Sequence, residues 1–187
     1  MTHSVIELPV HADDRRIARL AALAIGLTLA EAALPSPVPG VKPGLANIVI
    51  LLVLLQYGWR AAAWVSGLRV LAGGLLLGSL FAPGFWLSAA GALVSLSVLA
   101  LARYLPSRHF SPVSLSVLAA FGHIGGQLAL VGIWLLPAAA LIKLLPVFAT
   151  AALVFGTVNG LIVMRMLATT TPEPGMSPDI LAGTRKG

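Results

Sequence analysis

The sequence contains no cysteine. Without thiols there is no disulfide framework, no thiolate nucleophile and no cysteine-based metal site. Charged residues are scarce as well, at 10% of the chain, and only six are acidic. The sequence shows no carboxylate pair for magnesium–diphosphate chemistry, no Ser–His–Asp set and no glycine-rich phosphate loop with its lysine. It therefore predicts no catalytic residues, no metal site, no cofactor and no enzyme.

Apolar residues are abundant in this sequence, where charged residues are scarce. They make up 58% of the 187 residues, and the mean hydropathy of +0.97 lies far outside the soluble globular range. The pI near 10.9 is compatible with nucleic-acid binding, but the cations are scattered at the ends of apolar segments and form no stripe with interleaved aromatics. We expect an integral membrane protein whose surroundings are lipid, with no nucleic-acid partner.

The apolar residues divide into six segments, which predicts an all-α integral membrane protein built as a bundle of six transmembrane helices. The segments are about 17–34, 45–57, 61–80, 85–105, 113–136 and 144–167, and Pro83, Pro106, Pro112, Pro137 and Pro146 fall at or near their breaks. The predicted organisation is therefore a tail of residues 1–14, a membrane domain of residues 15–167 and a flexible tail of residues 168–187.

The positions of the cations predict the orientation. With six spans and a cytoplasmic N-terminus, nine cations lie inside: Arg15, Arg16, Arg19, Arg60, Arg103, Arg108, Arg165, Arg185 and Lys186. Only Lys42 and Lys143 face outward, which is a strong positive-inside bias. The sequence thus predicts a multi-pass protein of the cytoplasmic (inner) membrane, with both termini cytoplasmic.

A proline-rich stretch, residues 35–47 (PSPVPGVKPGLAN), lies between the first two segments. Its prolines exclude a helix interior, so it is expected to form a stiff loop at the membrane surface or against a cavity wall. Lys42 and Asn47 give this loop a polar edge on the outer side. It is either a lid that carries binding residues or an ordinary interhelical turn.

Polar side chains inside the apolar segments mark a candidate substrate-binding site. The candidates are Glu31, Lys42, Asn47, Arg69, His123 and Gln127. Arg69 is expected about 18 Å below the outer end of its span and Glu31 about 6 Å below its own, which leaves room between them for a ligand or water. A cavity with net positive character suits an anionic or carbonyl-bearing ligand. The alternative is that Arg69 and Glu31 form a structural ion pair and His123 hydrogen-bonds a neighbouring backbone.

Small residues at four-residue spacing mark close helix contacts. In the first segment they run along its whole length, as Ala18, Ala22, Gly26 and Ala30. We expect Ala18, Ala22 and Gly26 to form a docking face for a partner subunit. Similar stripes on the third, fourth and sixth segments are expected to serve packing within the chain.

Three stretches carry a family resemblance: PVPGVKPGLAN, LRVLAGGLLLG (residues 68–78) and GHIGGQ (residues 122–127). Over about residues 18–165 the chain resembles the Gx transporter family, also labelled heptaprenyl diphosphate synthase component I, which is similar to the S components of energy-coupling factor (ECF) transporters. The resemblance implies an outward substrate pocket and a transport module docked on the first helix. Ala18 and Ala22 match the docking pattern, Lys42 and Asn47 match the loop motif, and Arg69 matches the arginine of the third helix. Where the family tends to have an asparagine after the histidine, Ile124 follows His123.

These observations leave three functions open. The first is a non-enzymatic transport component that binds a small, anionic or vitamin-like molecule on the outer face and carries it inward, with an ECF-type module as a possible energising partner. The second is an accessory membrane subunit of polyprenyl-diphosphate or quinone-precursor synthesis, although the chain lacks the carboxylates that prenyl condensation needs. The third is an assembly partner of a membrane redox complex.

Overall fold

The structure, a computed structural model, describes residues 12–35, 43–102, 104 and 111–170. These residues form five helices and no strand: α1 (Ala12–Ala33), α2 (Leu45–Leu76), α3 (Pro83–Ala102), α4 (Pro112–Trp134) and α5 (Ala138–Thr170). Helices α2 to α5 are each long and apolar enough to cross a membrane. The expectation of an all-α, multi-pass membrane protein is thereby confirmed, whereas six separate helices are not.

The expected second and third segments are joined in one helix, α2, which folds back on itself. Asn47 and Arg69 are 22 residues apart, a separation of about 33 Å along a straight helix. Yet Nη1 of Arg69 donates a hydrogen bond of 3.2 Å to Oδ1 of Asn47. The two limbs of α2, residues 45–57 and 59–76, must therefore run antiparallel.

Gly58 makes this reversal. It is the residue inside α2 with non-helical dihedrals, at φ 83° and ψ 179°, a region that is essentially closed to side chains other than glycine. The next residue anchors the bend, because the indole Nε1 of Trp59 donates to the carbonyl of Leu96 on α3 at 3.2 Å. The sequence correctly predicted a break at this position, but it did not indicate that a single residue makes the reversal.

Helix α1 lies against the α2 hairpin and, within the described residues, packs against no other helix. Its buried alanines, Ala21 and Ala24, share a core with residues from both limbs. The limb residues of that core are Val49, Ile50, Val53, Ala62 and Val65. Burial of these small and branched side chains holds the hairpin closed.

Helices α3, α4 and α5 pack through glycines. A Cβ on Gly126 would lie 2.6 Å from the carbonyl oxygen of Ala90, and one on Gly160 would lie 2.5 Å from the Cα of Val113. Gly156 faces Val117 in the same way, at 2.9 Å. Gly156 and Gly160 of the sixth segment thus serve internal contacts, as expected, and so does Gly91 of the fourth, where a Cβ would lie 2.8 Å from His123. In the third segment, a Cβ at Gly67 or Gly78 would meet no described atom within 4 Å, so packing there is not as expected.

Two expected boundaries are wrong. Pro83 and Pro112 begin α3 and α4, but Pro146 lies inside α5, eight residues after its start, where the exposed face of the helix tolerates the missing hydrogen bond. Helix α2 ends at Leu76 instead of residue 80, so Arg69 lies about 10 Å below that end and not about 18 Å. The large offset expected between Arg69 and Glu31 is thereby reduced. Pro106 lies outside the described residues.

The Gly58 conformation gives a stability test. Gly58→Ala should lower the free energy of unfolding by about 1–3 kcal/mol, because alanine strains a backbone in this region. Gly67→Ala is the matched control on the same helix: its backbone is helical and a Cβ there meets nothing within 4 Å. Reversible unfolding in mixed micelles would measure both. Equal effects of the two substitutions would contradict the proposed constraint at the bend.

Candidate functional site

A cavity of about 700 Å³ lies among all five helices, which is within the range that holds a small organic ligand. Its wall includes Leu77 and Ser79 from the link after α2 and Leu136 from the link between α4 and α5, and the cavity reaches the end of the bundle where these two links lie. Pro43 and Gly44, from the link before α2, also line it but are held deeper, at Asn159 of α5. The cation count predicts that the end with the two links lies outside.

Five of the six expected site residues line this one cavity. They are Glu31, Asn47, Arg69, His123 and Gln127. Lys42 lies outside the described residues. Three helices, α1, α2 and α4, supply the five side chains, so residues that the sequence grouped although they are far apart in the chain line the same cavity.

Arg69 is the centre of the polar lining. Its side chain is buried, with 7% of the residue exposed, and Nη1 donates to Asn47. The Nε–H group is buried and has no hydrogen-bond partner among the described residues. A buried donor left in this state costs about 1–3 kcal/mol, which an oxygen of a ligand would offset.

Glu31 lines the cavity and also has a structural role that the sequence did not predict. Its Oε1 accepts a hydrogen bond from the backbone N–H of Leu45, the first residue of α2. A carboxylate at this position satisfies a free helix donor and interacts favourably with the helix dipole. Its charge also acts on Arg69. Glu31 thus fixes the start of α2 at the edge of the cavity.

Asn159 on α5 also holds the start of α2, from the side opposite Glu31. Its Nδ2 donates to the carbonyl oxygens of Pro43 at 3.1 Å and Gly44 at 3.2 Å, and the residue is 5% exposed. Gly44 is the N-cap of α2 and has a φ of +69°, which favours glycine. Together α1 and α5 fix the turn that places Asn47 against Arg69.

His123 and Gln127 form a hydrogen-bonded pair on α4. The Nε2 atoms of the two side chains are 3.2 Å apart, and the ring also hydrogen-bonds the backbone of Gly91. If the amide donates to Nε2 of the imidazole, its other nitrogen carries the proton. A Cβ at Gly91 would lie 2.8 Å from ring atoms, so glycine is required for the imidazole to lie there. Both interpretations of His123 therefore have support: it hydrogen-bonds a backbone, and it lines the cavity.

Sequence reasoning missed Asn159 as a site residue. It noted the residue only as neutral polarity within the last segment, since its acceptors are backbone carbonyls more than a hundred residues away in the chain. It also missed Thr28 and Ser88, which line the cavity on α1 and α3. An asparagine buried in an apolar helix was the available signal, because such a side chain requires partners.

The expected docking residues Ala18, Ala22 and Gly26 lie on the exposed face of α1. A Cβ at Gly26 would meet no described atom within 4 Å. The stripe therefore takes no part in packing among the described residues, in contrast to the glycines of α4 and α5.

The two hydrogen bonds from Asn159 to the carbonyls of Pro43 and Gly44, here called the Asn159 clamp, give a second test. Asn159→Leu should lower the free energy of unfolding by about 1–3 kcal/mol, because the carbonyl of Pro43 loses the amide donor and that of Gly44 keeps only the N–H of Asn47. Thr157→Val is the control, since its hydroxyl donates only to Leu153 in its own helix. Denaturant unfolding in micelles would compare the two. A loss for Thr157→Val as large as that for Asn159→Leu would show that the clamp contributes nothing specific.

One family model matches the chain, over residues 20–166: the family described as heptaprenyl diphosphate synthase component I. No curated protein and no solved structure matches the chain.

Proposed function

The chain belongs to the heptaprenyl diphosphate synthase component I family, also called the Gx transporter family, and on that premise we propose that it is a membrane transport component. It binds a small, anionic or vitamin-like molecule in an outward-facing cavity and carries it inward. Family membership fits a non-enzymatic membrane component, although the family description contains the word synthase.

The observation that carries this proposal is the buried Nε–H of Arg69. Arg69 lines a cavity of about 700 Å³, and this N–H group has no partner among the described residues. A guanidinium is a strong donor to carboxylate, phosphate and carbonyl oxygens, and burial strengthens the interaction. A ligand with such an oxygen would complete the arginine's hydrogen bonds.

The α2 hairpin supports a six-span topology like that of the S components the chain resembles. If each limb of α2 crosses the membrane, the five helices provide six spans and both termini lie on the same side. The first limb is only about 20 Å long, so it crosses only part of a hydrocarbon core of about 30 Å as a helix. The positive-inside bias of the cations then favours cytoplasmic termini and a cavity mouth on the outside.

An energising partner would dock on the exposed face of α1. Ala18, Ala22 and Gly26 leave this face smooth, which allows another helix to approach closely. On the opposite side of the same helix, Glu31 holds the start of α2. A partner that moves α1 would thereby move the wall of the cavity.

The proposal predicts that Arg69→Met weakens the binding of an anionic ligand by about 5-fold to 150-fold, the equivalent of about 1–3 kcal/mol for a charged hydrogen bond. Native mass spectrometry of protein extracted in nanodiscs would measure how much co-purified anionic molecule remains. Arg60→Met is the control, because Arg60 is exposed near the α2 bend and away from the cavity.

Two results would contradict this role for Arg69. One is equal ligand occupancy in the wild type and Arg69→Met. The other is that Arg69→Met and Glu31→Gln both unfold most of the protein while the folded remainder keeps its ligand. The second result would make the two residues a structural pair.

The topology has its own test, which the absence of cysteine makes clean. A single cysteine at Ala82, exposed in the link between α2 and α3, should react with an impermeant thiol reagent on intact cells. A single cysteine at Ala12, exposed at the start of α1, should react only after the cells are opened. The reverse labelling would place the cavity mouth in the cytoplasm.

The second candidate function is an accessory subunit of polyprenyl-diphosphate or quinone-precursor synthesis. The family description favours it, because it names a component of a heptaprenyl diphosphate synthase. In that case the arginine would hold a diphosphate. Co-purification of a prenyl diphosphate in the native mass spectra, with no uptake by intact cells, would favour this function over transport.

A further inference from the structure

Arg69, Asn47 and Asn159 lie together in one part of the cavity. Helices α4 and α5 are antiparallel, since Gly160 packs on Val113 while Gly132 packs against Leu141. Asn159 on α5 thus lies in the part of the cavity away from the link between these helices, His123 lies midway along α4, and Gln127 lies one turn nearer the link, hydrogen-bonded back to His123. Arg69 is in the same part as Asn159, because it bonds Asn47 one turn after the turn held by Asn159.

The other end of the α4–α5 wall is apolar. Its lining residues are Leu128, Val131, Leu136, Leu144, Phe148 and Ala151. None of these side chains has a hydrogen-bonding group, so these residues offer a ligand only apolar contact. The neutral polar groups that border them in the lining are Gln127, which is hydrogen-bonded to His123, and Ser79 and Ser88 on the α2–α3 side.

The size of the cavity makes this division important. A space of about 700 Å³ exceeds what a small anion bound to Arg69 would fill. An anion alone would leave the apolar end without an occupant, and apolar burial is the main source of affinity for small ligands in such cavities.

We infer that the ligand is an amphiphile: one anionic head bound at Arg69, and an apolar chain or ring system lying along α4 and α5. This inference rests on the proposed function and specifies the ligand class for the same cavity. The head lies deepest, beside Asn47 and Arg69, and the apolar part points to the cavity mouth at Leu136.

The experiment uses full-length protein in nanodiscs and two series of probes: straight-chain carboxylates of eight, ten and twelve carbons, and the alkanols of the same lengths. Equilibrium dialysis fixes the aqueous probe concentration, and empty nanodiscs correct for uptake by lipid. The wild type should bind each carboxylate at least 5-fold more tightly than its alkanol. Its affinity for carboxylates should rise with chain length, by at most about fourfold for each added methylene and so about 15-fold for each two-carbon step of the series.

Leu144→Ala and Leu145→Ala are matched variants for the apolar end. Leu144 lines the cavity, whereas its neighbour Leu145 is 49% exposed on the outside of α5. Leu144→Ala should weaken binding of the twelve-carbon carboxylate about fivefold and leave the eight-carbon probe almost unchanged. Leu145→Ala should bind both probes as the wild type does.

The outcomes separate the two proposals. Carboxylate preference lost in Arg69→Met, together with chain-length dependence reduced only in Leu144→Ala, would support the amphiphile. Carboxylate preference without any chain-length dependence would overturn the amphiphile and leave the anion-binding function intact. No saturable carboxylate binding by the wild type would overturn both.

Discussion

The start of α2 is the point on which the rest of the site depends. Its first N–H is taken by Glu31 of α1, and the two carbonyls before it are held by Asn159 of α5. These contacts place Asn47 where its side-chain oxygen accepts a hydrogen bond from Arg69 on the other limb of the hairpin. In lipid each of these backbone groups would be expensive to leave unpaired, so the clamp both permits a helix to begin inside the bundle and orients the arginine.

The composition of the chain explains why the site could be predicted at all. In a chain with 10% charged residues, each polar side chain within an apolar segment needs a partner, and five of the six expected residues do line one cavity. Their roles were less predictable. Glu31 lines the cavity, but its contact with the start of α2 was not predicted, because the proximity of residues 31 and 45 arises from packing that no local pattern shows.

Local sequence patterns also predicted the fold only in part. Proline marked the starts of α3 and α4 correctly because it excludes continuation from the preceding residue, but Pro146 lies inside α5. Gly58 was one of many glycines, and only its positive φ distinguishes it as the residue that reverses α2. Small-residue spacing indicated close approach on several helices. It did not indicate whether the approaching surface belongs to this chain, as at Gly156, or is open, as at Gly26.

The distribution of hydrogen bonds favours binding over chemistry. Oε1 of Glu31 is used by a helix terminus, and His123 is held by Gln127 and the backbone of Gly91. General acid–base catalysis needs a group that is free to exchange a proton with the substrate. Among the described residues, the buried side-chain atom without a hydrogen-bond partner is instead Nε of Arg69, which is a donor. In the proposed function such a group would bind an oxygen of the ligand without transforming it, and the apolar wall beside it would contact the part of the ligand to which that oxygen is attached.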